Sequence, residues 1–201
     1  MTSIYNASYK DCRRDLLLMR ISIPLLSYRV WRATSTMTQP LVELLKNNAW
    51  LTFWLTIAQT LGFAVIQLWW QFGIIDEMFV ADEILDHIAA MTPTQKRMHL
   101  WTTATLDVAY PFTYGSFFGG MALRAFPNSG WILAIPSILC IPVDLMEGYT
   151  QVMLLSGHDE YVTWKTLLTP MKFVLFGIGL IVAIVGAIRL RKLKPDKDKD
   201  T

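Results

Sequence analysis

Hydrophobic residues gather in four long stretches of the chain, separated by polar or charged segments. Residues 47–75 carry no charge over 29 positions, which exceeds the roughly 20 residues that a helix needs to cross the hydrocarbon core of a bilayer. Each of the other three stretches contains only one or two charged residues. The pattern predicts an all-α membrane protein, an antiparallel bundle of four transmembrane helices with spans at about 49–73, 100–123, 131–156 and 166–188.

The two ends of the chain are predicted to lie outside the bilayer. In the basic arm, residues 1–46, Arg20 interrupts a short apolar run, so we expect an interfacial amphipathic helix around residues 9–34, bent near Pro24. Residues 191–201 are mostly charged, which predicts a disordered cytoplasmic tail. The organisation is therefore an arm, a transmembrane bundle over residues 47–190, and a tail.

The first loop between spans has a helical pattern of its own. Apolar residues recur there at helical spacing beside acidic residues, which predicts an amphipathic helix over about residues 80–90. Thr92, Pro93 and Gln95 then form a capping-box sequence. The helix that carries the second span should therefore begin at this point, before the apolar stretch.

Composition agrees with a membrane protein. Hydrophobic residues make up 53% of the chain and charged residues 17%, against roughly 25% charged in soluble domains. A mean hydropathy of +0.36 excludes a disordered, collagen-like or nucleic-acid-wrapping chain. Cys12 and Cys140 fall in cytoplasmic and membrane-buried contexts, so neither a disulfide framework nor a thiolate metal site is predicted.

Lysine and arginine residues are distributed unevenly between the two sides of the predicted bundle. Fourteen lie in the arm, the 124–130 turn and the tail, whereas three lie on the opposite side: Lys96, Arg97 and Lys165. Because cytoplasmic loops are enriched in these residues, both termini are predicted to face the cytoplasm. We therefore expect a multi-pass protein of the inner (cytoplasmic) membrane.

Four ionisable residues lie within the predicted spans: Asp107, Asp144, Glu147 and Lys172. Each such residue costs roughly 2.5–3.5 kcal/mol in a membrane and normally finds a partner inside the protein. At 1.5 Å of rise per residue, these four and Gln67 lie about 9–18 Å below the outer surface. All four spans therefore contribute a polar group to one layer of the outer half of the membrane.

Helical spacing places the polar residues in two stripes. Positions three, four or seven apart share a helix face, which groups His99, Thr103, Asp107, Tyr110 and Tyr114 on the second span and Cys140, Asp144, Glu147 and Gln151 on the third. Prolines 111, 136 and 142 remove helical hydrogen bonds beside these stripes. The freed carbonyl groups favour a locally polar cavity.

This cavity is predicted to bind or act on a small apolar or amphiphilic, lipid-like ligand. Because two or three carboxylates cannot all stay ionised beside one lysine, at least one should hold a proton near neutral pH, as a proton donor or acceptor does. The candidate catalytic residues are Asp107, Glu147 and Asp144, and the candidate ligand-binding residues are Tyr110, Tyr114, Gln67, Lys172, Gln151 and His99. No metal, cofactor or nucleic acid is predicted.

The sequence Leu106-Asp107-x-x-Tyr110-Pro111-x-x-Tyr114-Gly115, followed by Pro142-x-Asp144-x-x-Glu147, resembles a pattern of small, uncharacterised bacterial four-span membrane proteins. The resemblance covers about residues 99–150 and implies a fold without a function. Four spans with a long first outer loop are also similar to the topology of sterol-isomerase and sigma-2-receptor-like proteins, whose buried acids hold or act on amphiphilic amines and sterols. That similarity is one of fold alone, since no motif matches residue by residue.

Three alternatives fit the same residues. A Glu147–Lys172 or Asp107–Lys172 pair would merely fix the register of the helices. An accessory or assembly subunit of a membrane complex would use the charges to dock a partner, with Asp107 or Lys172 facing outward. A proton-coupled transporter would require a homo-oligomer, because four short spans without an inverted repeat leave little protein for alternating access.

Overall fold

The computed structural model describes residues 39–70, 73 and 75–193. The arm helix expected around residues 9–34, and the tail beyond residue 193, lie outside the described residues. Within them the chain is helical almost throughout and contains no strand. The main helices are α1 (Gln39–Trp70), α2 (Ala81–Ala90), α3 (Pro93–Thr102, Thr103–Asp107 and Val108–Ala125 in direct succession), α4 (Gly130–Leu155) and α5 (Val162–Lys192).

Three stretches of the described chain are long and apolar enough to cross a membrane, namely α1, α4 and the segment Asp159–Lys192 that contains α5. They indicate a membrane protein. The second predicted span falls in α3, which is not among these three stretches; glycine, tyrosine, threonine and serine are interspersed with the large apolar residues of its second half. Most of that half is buried against the other helices.

Helices α1 and α3 run antiparallel and are in contact from Leu45 to Phe63 of α1 and from Tyr110 to Gly120 of α3. Phe53 packs on Phe117 with ring centroids 5.1 Å apart, and the Thr113 hydroxyl donates to Gln59 Oε1 at 2.6 Å. A Cβ atom on Gly120 would lie 2.5 Å from the carbonyl oxygen of Leu45. The two backbones are therefore in direct contact at this level, which only glycine permits.

The segment that follows α1 folds back onto the helices. Ile75 opens a short 3₁₀ turn, Ile75–Glu77, and is fully buried. Ile84 and Ile88, on one face of α2, join it in an apolar cluster with Leu154 of α4. The amphipathic helix predicted over residues 80–90 is confirmed, and its buried face explains the pattern.

Helix α3 has two distinctive local features, a capping box at its start and a π-helical turn in its middle. The Thr92 hydroxyl accepts from the Gln95 amide while Gln95 Oε1 accepts from the Thr92 amide, so the predicted capping box is confirmed. One π-helical turn, Thr103–Asp107, precedes Pro111. By contrast, α4 stays helical through both of its prolines, so the loosening expected there does not interrupt the helix.

Candidate functional site

A cavity of about 620 Å³ opens among α1, α3, α5 and the 3₁₀ turn. Its walls are largely apolar and include the rings of Phe63, Phe173 and Phe176. Seven of the predicted site residues line it: Gln67, His99, Asp107, Tyr110, Tyr114, Asp144 and Lys172. The structure therefore brings most of the predicted residues to one cavity, while Glu147 and Gln151 lie behind its wall.

Lys172 occupies the base of the cavity and contacts three carboxylates. Its Nζ lies 2.9 Å from Glu147 Oε2, 3.1 Å from Asp144 Oδ1 and 3.5 Å from Asp76 Oδ1. Glu147 is fully buried. The meeting of Asp144, Glu147 and Lys172 follows the prediction, and it joins α4 to α5.

A second lysine completes this cluster. Lys165 is fully buried and forms an ion pair with Glu147 Oε1, to which the Thr169 hydroxyl also donates at 3.1 Å. The expected start of the fourth span at residue 166, which left Lys165 outside it, was wrong, because α5 already begins at Val162 and places the Lys165 side chain against Glu147 of α4. The spacing of Lys165, Thr169 and Lys172, four and then three residues apart, is the sequence signal that would have revealed the shared face.

Asp76 is the other site residue that the sequence did not reveal. It follows buried Ile75 in the 3₁₀ turn, and its Oδ1 lies 3.8 Å from Lys165 Nζ as well as near Lys172. Burial alone would raise the pKa of Asp76, but the positive charges of Lys172 and Lys165 outweigh burial and lower it. A residue in a turn has no helical periodicity, so no pattern in the sequence indicates its direction.

Tyr114 connects α3 to the acidic cluster. Its hydroxyl donates to Asp144 Oδ2 at 2.8 Å and lies 3.2 Å from Cys140 Sγ. The ring packs against Phe118 and Phe176, with the Phe176 centroid 5.0 Å away. The hydrogen bond and the packing hold the Asp144 carboxylate in one orientation toward the cavity.

His99 and Gln151 form a second polar contact beside the cavity. Gln151 Nε2 lies 2.7 Å from His99 Nε2 and 3.4 Å from Thr103 Oγ1. Burial lowers the pKa of His99 to about 4, so the ring is neutral near pH 7. Gln151 therefore fixes the orientation of His99, and of the two only His99 reaches the cavity.

Asp107 differs from the other carboxylates of the site. It is half-buried at the end of the π-helical turn, and its Oδ2 lies over Gly148, where an added Cβ atom would be 3.7 Å away. Within the part of the chain that the structure describes, it makes neither an ion pair nor a side-chain hydrogen bond. Asp107 is thus a carboxyl group on the cavity wall that is available to a ligand.

The charges around the cavity are unequal in number. Four carboxyl groups line it, from Asp76, Glu77, Asp107 and Asp144, against the ammonium group of Lys172 in the lining and that of Lys165 behind it, 3.8 Å from Asp76. Among the described residues, no group of three His, Cys, Asp or Glu side chains is arranged to hold a metal ion. The lining therefore favours a ligand with a positively charged or hydrogen-bond-donating end.

Comparison with known proteins adds no constraint on this site. No family model matches the chain, and no curated protein or solved structure is significantly similar to it.

Proposed function

We propose that this chain is a four-span protein of the cytoplasmic membrane whose cavity binds a small amphiphilic ligand in the outer half of the bilayer. In this proposal residues 100–123 of α3 form the span that the three long apolar stretches do not supply. Its burial against α4 and α5 supports this, because a helix covered by apolar neighbours can carry polar and small residues across a membrane. The excess of lysine and arginine in the arm, turn and tail supports cytoplasmic termini.

The observation that carries the proposal is the position of Asp107 in an apolar, aromatic cavity. An unpaired carboxyl group in such surroundings is costly unless a ligand or partner compensates it. Tyr110 and Phe63 stand beside it on the lining, with ring centroids 5.5 Å apart. A positively charged group is favoured by both a carboxylate and aromatic faces, and the remaining walls accommodate an apolar chain.

The other acids have a supporting role. Both oxygens of Glu147 are engaged by Lys165, Thr169 and Lys172, so this residue fixes the base of the cavity. Asp107 and Asp144 reach the cavity itself. If the ligand is turned over rather than only bound, these two residues are the proton donor or acceptor.

An accessory subunit that docks a partner through its charges is the second proposal, and it expects Asp107 or Lys172 on the outer surface. Lys172 instead contacts Asp144 and Glu147, and Asp107 lines the cavity. Both positions support the ligand-binding proposal over docking.

The proposal is tested by ligand binding to the purified protein in a nonionic detergent. Thermal stabilisation is measured with a long-chain tertiary amine, with the alcohol of the same chain length and with the matching fatty acid. We expect the amine to bind best, and Asp107→Asn to weaken it by about 10-fold or more, since a charge-assisted contact contributes about 1.5–3 kcal/mol.

The matched control is Asp86→Asn, which makes the same change on the exposed face of α2 and should leave binding unchanged. Equal stabilisation by all three compounds, or an Asp107→Asn variant that binds the amine as before, would overturn the proposal.

A further inference from the structure

A second cavity lies at the opposite end of the helices from Asp107. It has a volume of about 380 Å³ and is lined by Lys46 and Asn47 of α1, Leu123 and Arg124 of α3, Pro127 and Leu190 of α5. Two basic side chains from different helices thus face one space. We call this region the basic end.

No acidic residue lines this cavity. Residues 44–60, 108–143 and 173–193, which supply this end of the helices, contain neither aspartate nor glutamate, and the nearest acidic residue along α1 is the exposed Glu43, three positions before Lys46. Within the described ranges, Lys46 and Arg124 make no ion pair, whereas the guanidinium group of nearby Arg189 lies 5.1 Å from the Phe126 ring centroid. The cavity therefore presents uncompensated positive charge.

The surface around this cavity is apolar and exposed. Trp50 of α1, Trp131 of α4 and Leu193 after α5 each expose more than half of their surface. Tryptophan is enriched where the hydrocarbon core meets the headgroups. A ligand with a charged head in the cavity would have apolar surface alongside for its chains.

We propose that the basic end binds the phosphate group of an anionic lipid between Lys46 and Arg124. A phosphate diester carries one negative charge and accepts hydrogen bonds from both side chains. The exposed apolar surface favours the lipid over free phosphate. This site is independent of the ligand cavity at Asp107.

The test is native mass spectrometry of the full chain in nonionic detergent, with phosphatidylglycerol and phosphatidylcholine of identical acyl chains. We expect phosphatidylglycerol to be retained preferentially. Lys46→Gln and Arg124→Gln should each reduce that preference about fivefold, as expected for one basic residue at an anionic headgroup.

Arg191→Gln is the matched control, because it removes one exposed positive charge from the same part of α5 without touching the cavity lining. It should leave the preference nearly unchanged. An equal loss in Arg191→Gln, no preference between the lipids, or displacement of phosphatidylglycerol by millimolar inorganic phosphate would each overturn the proposed lipid site.

Discussion

Lys165 and Glu147 form an ion pair in which both side chains are completely shielded from solvent. Glu147 is shared, since Lys172 approaches its other oxygen at 2.9 Å. Two lysines around one carboxylate would leave one positive charge uncompensated, and Asp144 and Asp76 more than offset it, so that three carboxyl groups surround two ammonium groups. The cluster is therefore one unit that joins α4, α5 and the 3₁₀ turn.

Replacing either Glu147 or Lys165 alone should lower the free energy of unfolding more than the loss that remains when both are replaced together. We expect Glu147→Gln and Lys165→Met each to destabilise the protein by about 3–5 kcal/mol, because each leaves a buried charge without its partner. The double variant should recover a large part of the loss. Unfolding in detergent measures all three proteins, with Lys96→Met as the control for loss of a lysine outside the cluster.

The outcome also bears on function. If the double variant loses as much as the two single variants added together, the two residues are not coupled and the ion pair does not stabilise the fold. Neutral or stabilising single substitutions would instead indicate that the cluster is maintained for activity.

The part of the stability that depends on neutral His99 should fall as the pH is lowered through the range in which histidine normally titrates. The pKa of His99 is lowered by burial from 6.5 to about 4, so below pH 6.5 the unfolded chain takes up a proton that the folded chain does not. The contribution is complete above pH 6.5 and declines toward pH 4, by about 3 kcal/mol at most.

The pH effect is checked by measuring the melting temperature between pH 7.5 and 4.5. The melting temperature of His99→Gln should decrease less than that of wild type as the pH is lowered. The melting temperature of His158→Gln, which changes an exposed position, should decrease as much as that of wild type. If the melting temperatures of His99→Gln and of wild type change equally with pH, the titrating group is not His99.

Tyr114→Phe should destabilise the protein through Asp144. The variant keeps the ring contacts with Phe118 and Phe176 but removes the hydroxyl that donates to the buried carboxylate. We expect a loss of about 1–3 kcal/mol. Tyr110→Phe loses only an exposed hydroxyl contact to Thr60 and should change the unfolding free energy by less. Equal losses would contradict a special role for the Tyr114–Asp144 bond.

Alanine substitutions at two glycines distinguish the effect of close helix packing from the effect of helix propensity. A Cβ atom at Gly120 would meet the Leu45 carbonyl oxygen at 2.5 Å, whereas nothing lies within 4 Å of one at Gly177. Gly120→Ala should therefore destabilise the protein, while Gly177→Ala should stabilise it by up to about 1 kcal/mol. The prediction is checked by comparing the melting temperature of each variant with that of wild type. A Gly120→Ala variant that is more stable than wild type would contradict the α1–α3 contact.

Helical spacing was sufficient to predict the parts of the site that lie on the long helices. Asp107, Tyr110 and Tyr114 share one face of α3, and Asp144 and Glu147 share one face of α4, because side-chain direction in a helix is fixed by its period. The same argument placed α2 and its buried face.

Spacing could not reveal contacts that depend on turns or on the neighbours of a helix. Asp76 lies in a turn beside buried Ile75, where no helical period applies. Lys165 was missed for a different reason: its spacing to Thr169 and Lys172 does indicate a shared face, but the fourth span was expected to begin only at residue 166, whereas α5 begins at Val162. The polar composition of α3 also depends on its neighbours. The helices that cover α3 allow it to carry small and polar residues in place of large apolar ones. The position of Asp76 and the composition of α3 both depend on tertiary packing, which the local sequence does not encode.

The direct backbone contact of Leu45 with Gly120 gives α1 a pivot at one end, far from the cavity at Asp107. From Leu45 to Gln67 the helix is about 33 Å long, so a rotation of about 5° about that pivot displaces the Gln67 end by about 3 Å. The Phe53–Phe117 and Thr113–Gln59 contacts lie between this pivot and the cavity and oppose such a rotation, so they hold the Gln67 end of α1 in place at the cavity.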